Sequence, residues 1–348
     1  MKRLLLLTAL CVSAGTLAAQ SSDATVIDRA GQPGLPPAQP PDAPAAGGDI
    51  ATQTDAGDSG VQRLAEPRKL PFKLTATADA QLYYTDNVQL ATDNSVASNS
   101  DAMVLGSTLA LRAQAHPVAL GDGLLTPSLS FVYQNFRHGI DSDDTTRSDL
   151  DFDAYSIPLT VGYRFGDGWE ATASLTASAI YRIHGAGDYK RIVASYTPTL
   201  SLRKNLAINR EQILVLTGGV SRAFTKATTD SVFFPLAPYR DDRNDKLIFA
   251  LDATHYILKG KWVISPYARV AYADYAHYEE AGFPTAVSVN RNDLTVSAGL
   301  VVTYTINKWS SARLFTGYEW RDSDPSGPFD YSYQAATLGI GASVNLSF

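Results

Sequence analysis

From Phe72 to the end of the chain, apolar residues recur at every second position over long segments. In the last segment the even positions are apolar and the odd positions are small or polar. The apolar positions are Ala336, Leu338, Ile340, Ala342, Val344, Leu346 and Phe348. Successive side chains of a strand point to opposite sides, so this period of two predicts a strand with one apolar and one polar face.

The alternation predicts twelve strands of unusual length. Most have about 13 to 16 residues, whereas strands of soluble sheets have about 5 or 6. A tilted strand needs only about 9 to 11 residues to cross the hydrocarbon layer of a membrane. The length therefore favours a transmembrane antiparallel β-barrel over a soluble sandwich. The predicted strands run at about 72–85, 101–115, 124–138, 150–165, 168–183, 190–203, 211–224, 246–258, 261–275, 292–306, 309–322 and 333–348.

The connections between the predicted strands alternate between long and short. Gly166-Asp167-Gly168, Lys259-Gly260-Lys261 and Asn307-Lys308 have the composition of tight hairpin turns, whereas most connections before and after them are longer. Outer-membrane barrels have short periplasmic turns and long external loops. An even number of strands then places both ends of the chain in the periplasm.

The overall composition excludes some function classes. The formal net charge of −6 argues against a nucleic-acid partner, because nucleic-acid-binding proteins usually carry a basic face. No stretch reaches the ~18 consecutive apolar residues of a membrane-spanning helix. The mean hydropathy of −0.10 is compatible with a barrel, because alternating polar and apolar residues average out.

The first 71 residues differ from the rest in composition. Met1-Lys2-Arg3, the apolar run Leu4–Val12 and the small residues up to Ala19 predict a secretory signal peptide over residues 1–19. Cys11 would leave with it, so the mature chain would have no cysteine. Residues 20–71 are rich in Pro and Ala and predict a disordered periplasmic linker, with docking of a periplasmic partner as an alternative. Residues 72–348 form the predicted barrel.

Two short segments resemble known outer-membrane proteins. Val344-Asn345-Leu346-Ser347-Phe348 is similar to the C-terminal signal of Gram-negative outer-membrane β-barrel proteins. This resemblance implies an outer-membrane location and recognition of the terminal Phe348 by the barrel-assembly machinery. Tyr83-Tyr84-Thr85-Asp86-Asn87-Val88 resembles the opening of β-barrel porin families whose function is poorly defined. The resemblance implies a porin-like channel.

Alternation also assigns the charged residues of the strands to the lumen, because an Arg or Lys facing lipid would cost about 2–4 kcal/mol at the midplane. Basic residues outnumber acidic ones about two to one in this set. The predicted inward charges are Lys73, Asp79, Arg112, Arg164, Glu170, Arg182, Arg191, Arg203, Asp252, Arg269, Arg313, Glu319 and Arg321.

The basic excess has two interpretations. It could line a pore that attracts small hydrophilic anions, or it could form ion pairs with acidic residues that fill the lumen. Barrels of eight strands are filled by side chains, and barrels of sixteen to eighteen strands enclose an open channel. A strand number of twelve is therefore compatible with both interpretations. A structural or export-assembly barrel with a plugged lumen is therefore the alternative to a porin.

The sequence predicts no enzyme, cofactor or metal site, and an outer-membrane lipid hydrolase is the least favoured of the alternative functions. An outer-membrane lipid hydrolase would need a nucleophile and a base close together. Of the five histidines, His116 and His255 are predicted near the periplasmic end, away from the outer rim where such a site would lie. His138, His184 and His277 are predicted near the outer rim, but none is followed by a convincing serine and acid pattern. The long loops are acidic, as in Asp141-Ser142-Asp143-Asp144, and are expected to face solvent and lipopolysaccharide. Outer-membrane lipid and lipopolysaccharide are thus the expected surroundings of the barrel.

Overall fold

A computed structural model of the protein describes residues 72–87, 101–138, 140, 150–183, 189–227, 244–280, 287–324 and 332–348. The predicted signal peptide and linker lie outside these residues, as does the acidic segment 141–149.

Long strands make up nearly all of the described chain. Their bounds are β1 (Phe72–Thr85), β2 (Ala102–Ala115), β3 (Val118–Leu120), β4 (Gly123–His138), β5 (Phe152–Phe165), β6 (Trp169–Ile183), β7 (Tyr189–Asn209), β8 (Gln212–Ala227), β9 (Lys246–Lys259), β10 (Trp262–Glu280), β11 (Val287–Thr305), β12 (Ser310–Ser323) and β13 (Tyr333–Ser347).

Twelve of these strands form a closed antiparallel barrel. Each pairs with the next along the chain, β1 pairs with β13 from Thr75–Ser347 to Thr85–Thr337, and β2 pairs with β4. The short β3 pairs only with the start of β4 and stands outside the ring. Closure leaves no free sheet edge, which a bilayer requires. The prediction of a twelve-stranded antiparallel β-barrel is confirmed, and this is the architecture of outer-membrane barrel proteins.

The barrel has two unlike ends. At one end, which we call the turn end, tight turns join the strands, and Gly166, Gly168 and Gly260 have positive φ there. The chain also enters and leaves at this end, where Phe348 N donates to the carbonyl of Leu74 at 2.9 Å. The other end, which we call the loop end, carries the longer connections.

Three strands extend by five residues or more beyond the bounds that their sequence pattern predicts. β7 continues to Asn209, so the connection predicted at 204–210 is a turn at Arg210 and Glu211. β10 and β11 extend into the loop predicted at 276–291, with a register shift between Tyr275 and Tyr278. The extension of β7 continues the apolar alternation through Leu206 and Ile208, which are exposed on the outer face, so the pattern there reaches the turn. The extensions of β10 and β11 contain Glu279, Glu280, Asn290 and Arg291, which interrupt the alternation.

Most of the large apolar side chains of the barrel strands lie on the outward face. Leu109, Leu200, Leu251 and Ile340 are more than half exposed on it. Trp169, Trp262 and Trp309 lie at the turn end of this face, where the ammonium groups of nearby lysines contact aromatic rings. An apolar belt with aromatic residues at its border is the surface of a barrel that contacts lipid. No helix among the described residues is long and apolar enough to span a membrane.

Candidate functional site: the barrel interior

The inner wall formed by β4 to β8 consists mainly of small hydroxyl side chains. Strands tolerate threonine well, and a polar face lets these strands line an aqueous space. Ser178 and Ser195 share a hydrogen bond of 2.7 Å across β6 and β7. The inward hydroxyl residues of these strands are Thr126, Ser128, Ser130, Ser156, Thr160, Thr172, Ser174, Thr176, Ser178, Ser195, Thr197, Thr199, Ser201, Thr217, Ser221 and Thr225.

The wall where β12 and β13 meet β1 holds a buried ion pair. Arg313 binds both carboxylate oxygens of Asp79, with the Nη2 to Oδ1 distance at 2.7 Å, and donates to Gln81 Oε1 at 3.1 Å. The side chains of Arg313 and Asp79 are only 6% and 8% exposed. A bidentate pair of this kind is strongly directional, so it fixes the register of the strands that close the barrel.

Glycines next to this pair accept aromatic rings from neighbouring strands. A Cβ added to Gly339 would lie 2.4 Å from Tyr83 Cβ and 2.5 Å from Phe315 Cζ. Tyr267 lies over Gly299 and Gly317 in the same way, with its hydroxyl 2.6 Å and 2.9 Å from the added atoms. The absence of a side chain at these positions lets the rings lie flat on the inner wall.

A second buried cluster lies at the loop end of β10 to β13. Arg291 Nε and Nη2 donate to the two oxygens of Asp293 at 2.8 Å and 2.7 Å, and the Ser323 hydroxyl donates to Asp293 at 2.6 Å. Arg321 approaches the same carboxylate at 3.8 Å. The guanidinium carbon of Arg291 lies 4.6 Å from the ring centre of Tyr275, and that of Arg321 lies 4.6 Å from the ring centre of Tyr333.

The other inward ion pairs are accessible to solvent and have longer contact distances. Arg164 lies 3.8 Å from Glu170, with side chains 62% and 25% exposed, and Arg269 lies 3.5 Å from Asp252, with 30% and 38% exposed. Exposed pairs like these contribute about 0–1 kcal/mol. Arg203 donates to Asn205 at 3.0 Å and Arg112 to Ser128 at 3.4 Å. The charged groups of the inner wall thus fall into a buried set and an accessible set.

An apolar cluster faces inward at the loop end of the hydroxyl wall. Phe136 and Phe152 stack with ring centroids 4.8 Å apart, and Tyr83 and Ala154 pack against the cluster. Its buried members, contributed mainly by β2 and by β5 to β7, are Ala102, Val104, Leu150, Phe152, Ile180, Ile192 and Val193. The sequence did not predict this cluster, because its residues share the inward parity of polar residues further along the same strands.

The register places most of the predicted inward charges on the inner face, with one correction. Arg191 was predicted to face inward, but it pairs with Tyr181 on the outer face. A register shift at Ile180 and Tyr181 reverses the alternation there and turns Lys190 inward instead. The residues on the inner face are Lys73, Asp79, Arg112, Arg164, Glu170, Arg182, Arg203, Asp252, Arg269, Arg313, Glu319 and Arg321. Their contribution to a pore stays a prediction.

The sequence reasoning missed Arg291, Asp293 and Lys246 as inward charges. Asp293 lay within a predicted strand and has the inward parity of Ser297, while Arg291 fell in a predicted loop. Lys246 pairs with Ala223 and Tyr275, which are buried on the inner face. The parity of the neighbouring strand residues was the signal that could have identified all three.

The described histidines lie apart from one another. His138 is buried, with its backbone amide donating to Asp151 at 2.7 Å and its Nδ1 3.5 Å from the same carboxylate. His116 is exposed near the turn end, and His255 pairs with Leu214 on the outer face. His184 and the side chain of His277 lie outside what is described. Among the described residues, no three His, Cys, Asp or Glu side chains are grouped to hold a metal ion.

Comparison with known proteins gives similar structures only. No protein family and no curated protein matches the chain. An outer membrane channel from Pseudomonas putida F1 is similar with a TM-score of 0.44 and 13% identity, over 84% of this chain and 100% of that one. The transport unit of the autotransporter AIDA-I from Escherichia coli has a TM-score of 0.40 and 10% identity, covering 82% of this chain and 93% of its own. The NanC porin has a TM-score of 0.39 and 10% identity, over 77% of this chain and 100% of its own. Scores this low carry no argument about function.

Proposed function

We propose that this protein is a passive outer-membrane pore for small hydrophilic solutes, with a preference for anions. The observation that carries the proposal is the inner wall of β4 to β8. Eight strands already form a barrel that side chains just fill, and twelve enclose a wider space. Serine, threonine and glycine are too small to fill that space, which supports a water-filled passage along this wall.

The preference for anions follows from the accessible charges. Arg313 and Arg291 each have a tightly bound carboxylate partner and are buried. The accessible inward residues are mainly basic, because five of them, Lys73, Arg112, Arg164, Arg203 and Arg269, outnumber the acidic residues Glu170, Asp252 and Glu319. Basic groups on a pore wall lower the electrostatic barrier for anions.

The proposal includes an orientation and an environment. The turn end and both chain ends would lie in the periplasm, with the loop end facing the exterior and lipopolysaccharide. Residues 1–19 would direct export, and the barrel-assembly machinery would recognise the strand that ends at Phe348, whose side chain is exposed. Passage would require no catalysis, cofactor or metal.

Recording of single channels tests this function. The chain without residues 1–19 is refolded and added to planar bilayers in potassium chloride. We expect discrete conductance steps and a reversal potential that indicates anion preference in a salt gradient. The preference should fall when Arg164, Arg203 and Arg269 are replaced together by glutamine.

A plugged structural or export-assembly barrel is the second candidate, and the apolar cluster at the loop end favours it. Val104 and Phe152 face inward but are almost fully buried, which is unusual on the wall of an open pore. If the lumen is closed there, the refolded protein gives no conductance although it folds. Capture of an envelope partner that depends on residues 20–71 would then support the export role.

A further inference from the structure

Directly paired residues of neighbouring strands form rows that cross the inner wall. Because barrel strands are tilted, such a row climbs around the barrel as it passes from strand to strand. One row begins with Arg164, next to the last residue of β5 at the turn end, and reaches Glu319, four residues from the loop end of β12. We call it the ion row, and its members are Arg164, Glu170, Arg203, Thr217, Asp252, Arg269, Ser297 and Glu319.

The charges of the ion row alternate in sign along it. Glu170 is paired in register with both Arg164 and Arg203, and Asp252 is paired with Arg269. Neighbouring strands lie about 4.8 Å apart, so Arg164 and Arg203 are separated by about 10 Å and Arg203 and Arg269 by about 14 Å along the row. No position from β5 to β12 interrupts the row with a large apolar side chain.

The adjoining row on the loop side contains only small side chains from β5 to β11. We call it the trough, and its members are Gly162, Thr172, Ser201, Gly219, Ala250, Ala271 and Thr295. The long side chains of the ion row therefore stand beside a depression that follows them up the wall. Three hydroxyl groups in the trough can donate or accept hydrogen bonds.

The arginines of the ion row can exchange partners. The contacts between Arg164 and Glu170 and between Arg269 and Asp252 are single approaches of 3.8 Å and 3.5 Å between accessible groups. The buried pair of Arg313 and Asp79 is bidentate and nearly inaccessible. A solute carboxylate can compete for Arg164 and Arg269 at little cost in free energy, because an exposed ion pair contributes little to stability.

From this register, and on the basis of the proposed pore, we propose that the ion row and the trough form a track for small hydroxylated organic anions. A solute carboxylate would pass between Arg164, Arg203 and Arg269, and its hydroxyl groups would bind those of the trough. The planar guanidinium matches a carboxylate with two parallel hydrogen bonds, which a halide cannot form. Glu170 and Asp252 would repel the carboxylate between the arginines and so prevent trapping.

The test compares gluconate with chloride, because gluconate is a hydroxylated carboxylate. The permeability ratio of gluconate to chloride is obtained from reversal potentials of the refolded chain in planar bilayers. We expect the double variant Arg203→Gln and Arg269→Gln to lower this ratio by about twofold to fivefold per arginine. Each substitution removes one solvent-exposed ionic contact with the carboxylate of gluconate. The matched control is Arg112→Gln, which removes an accessible inward arginine outside the ion row.

A second variant tests the trough without changing charge. Ala271→Leu fills the trough and is expected to lower the passage of gluconate more than that of chloride, whereas Ala110→Leu on the inner face of β2 should not. A channel with the same ratio in all variants, or with an equal loss in Arg112→Gln, overturns the track and leaves the pore intact. Absence of any conductance in the unaltered protein overturns the pore instead.

Discussion

Arginine side chains of the inner wall have two different tasks. Arg313 and Arg291 are buried, bind their carboxylates through two hydrogen bonds and lie against aromatic rings. Arg164 and Arg269 are accessible and loosely paired. The same residue type therefore holds the wall together where it is buried and presents charge to the lumen where it is accessible.

Removal of a buried arginine should destabilise the barrel far more than removal of an accessible one. Arg313→Ala leaves the Asp79 carboxylate buried without its partner, and we expect a loss of about 3–5 kcal/mol in the free energy of unfolding. Arg164→Ala should lose less than about 1 kcal/mol. Urea unfolding in lipid vesicles, followed by tryptophan fluorescence, measures both. Equal losses would contradict the division into two sets.

The glycine contacts make a separate prediction. An alanine at Gly339 would place Cβ within 2.7 Å of three atoms, including the Leu82 carbonyl, so Gly339→Ala should cost about 1–3 kcal/mol of stability. At Gly218 the only near atom is the end of the Leu251 side chain, which can move. Gly218→Ala should therefore be tolerated. The temperature at which the folded band disappears on a gel compares the two variants.

At the scale of the strand, alternation carried most of the information. It predicted the twelve barrel strands and whether most charged residues lie on the inner or the outer face. This works because a shift of the strand register by one residue would turn the apolar side chains to water and the polar ones to lipid. It failed where the backbone departs from regular pairing. The register shift at Ile180 and Tyr181 turned Arg191 outward, and the extension of β11 contained Arg291, which the pattern had assigned to a loop.

Neighbouring residues in the middle of β7 test the assignment of faces. Leu200 is 61% exposed on the outer face, whereas Thr199 faces the lumen. Leu200→Arg should cost about 2–4 kcal/mol because it places a charge in hydrocarbon. Thr199→Arg should fold normally. The fraction of protein folded in vesicles checks both, and a tolerated Leu200→Arg with a damaging Thr199→Arg would reverse the faces.

At the scale of the whole molecule, the barrel combines a lipid-facing exterior with an uneven interior. β11 to β13 and β1 carry bulky, buried and paired side chains, whereas β4 to β8 carry small hydroxyl groups along most of their length and an apolar cluster at the loop end. The sequence could not predict this division, because it arises from which strands become neighbours on closure. The buried pair between Asp79 and Arg313 joins β1 to β12, two strands that are far apart in the sequence.

The orientation of the barrel can be tested with single cysteines, since Cys11 is the one cysteine of the sequence. We expect Asp101→Cys at the loop end to react with a membrane-impermeant maleimide on intact cells. Lys308→Cys at the turn end should react only after the outer membrane is opened. Both positions are exposed in the structure. The opposite labelling pattern would invert the proposed orientation.

The central claim is that the interior is an open, anion-preferring passage. The conductance of the refolded chain in planar bilayers tests it most directly. We predict discrete channels whose reversal potential in a potassium chloride gradient shows anion preference, reduced when the accessible arginines 164, 203 and 269 are neutralised. A folded barrel that inserts into the bilayer but conducts no current would contradict the claim.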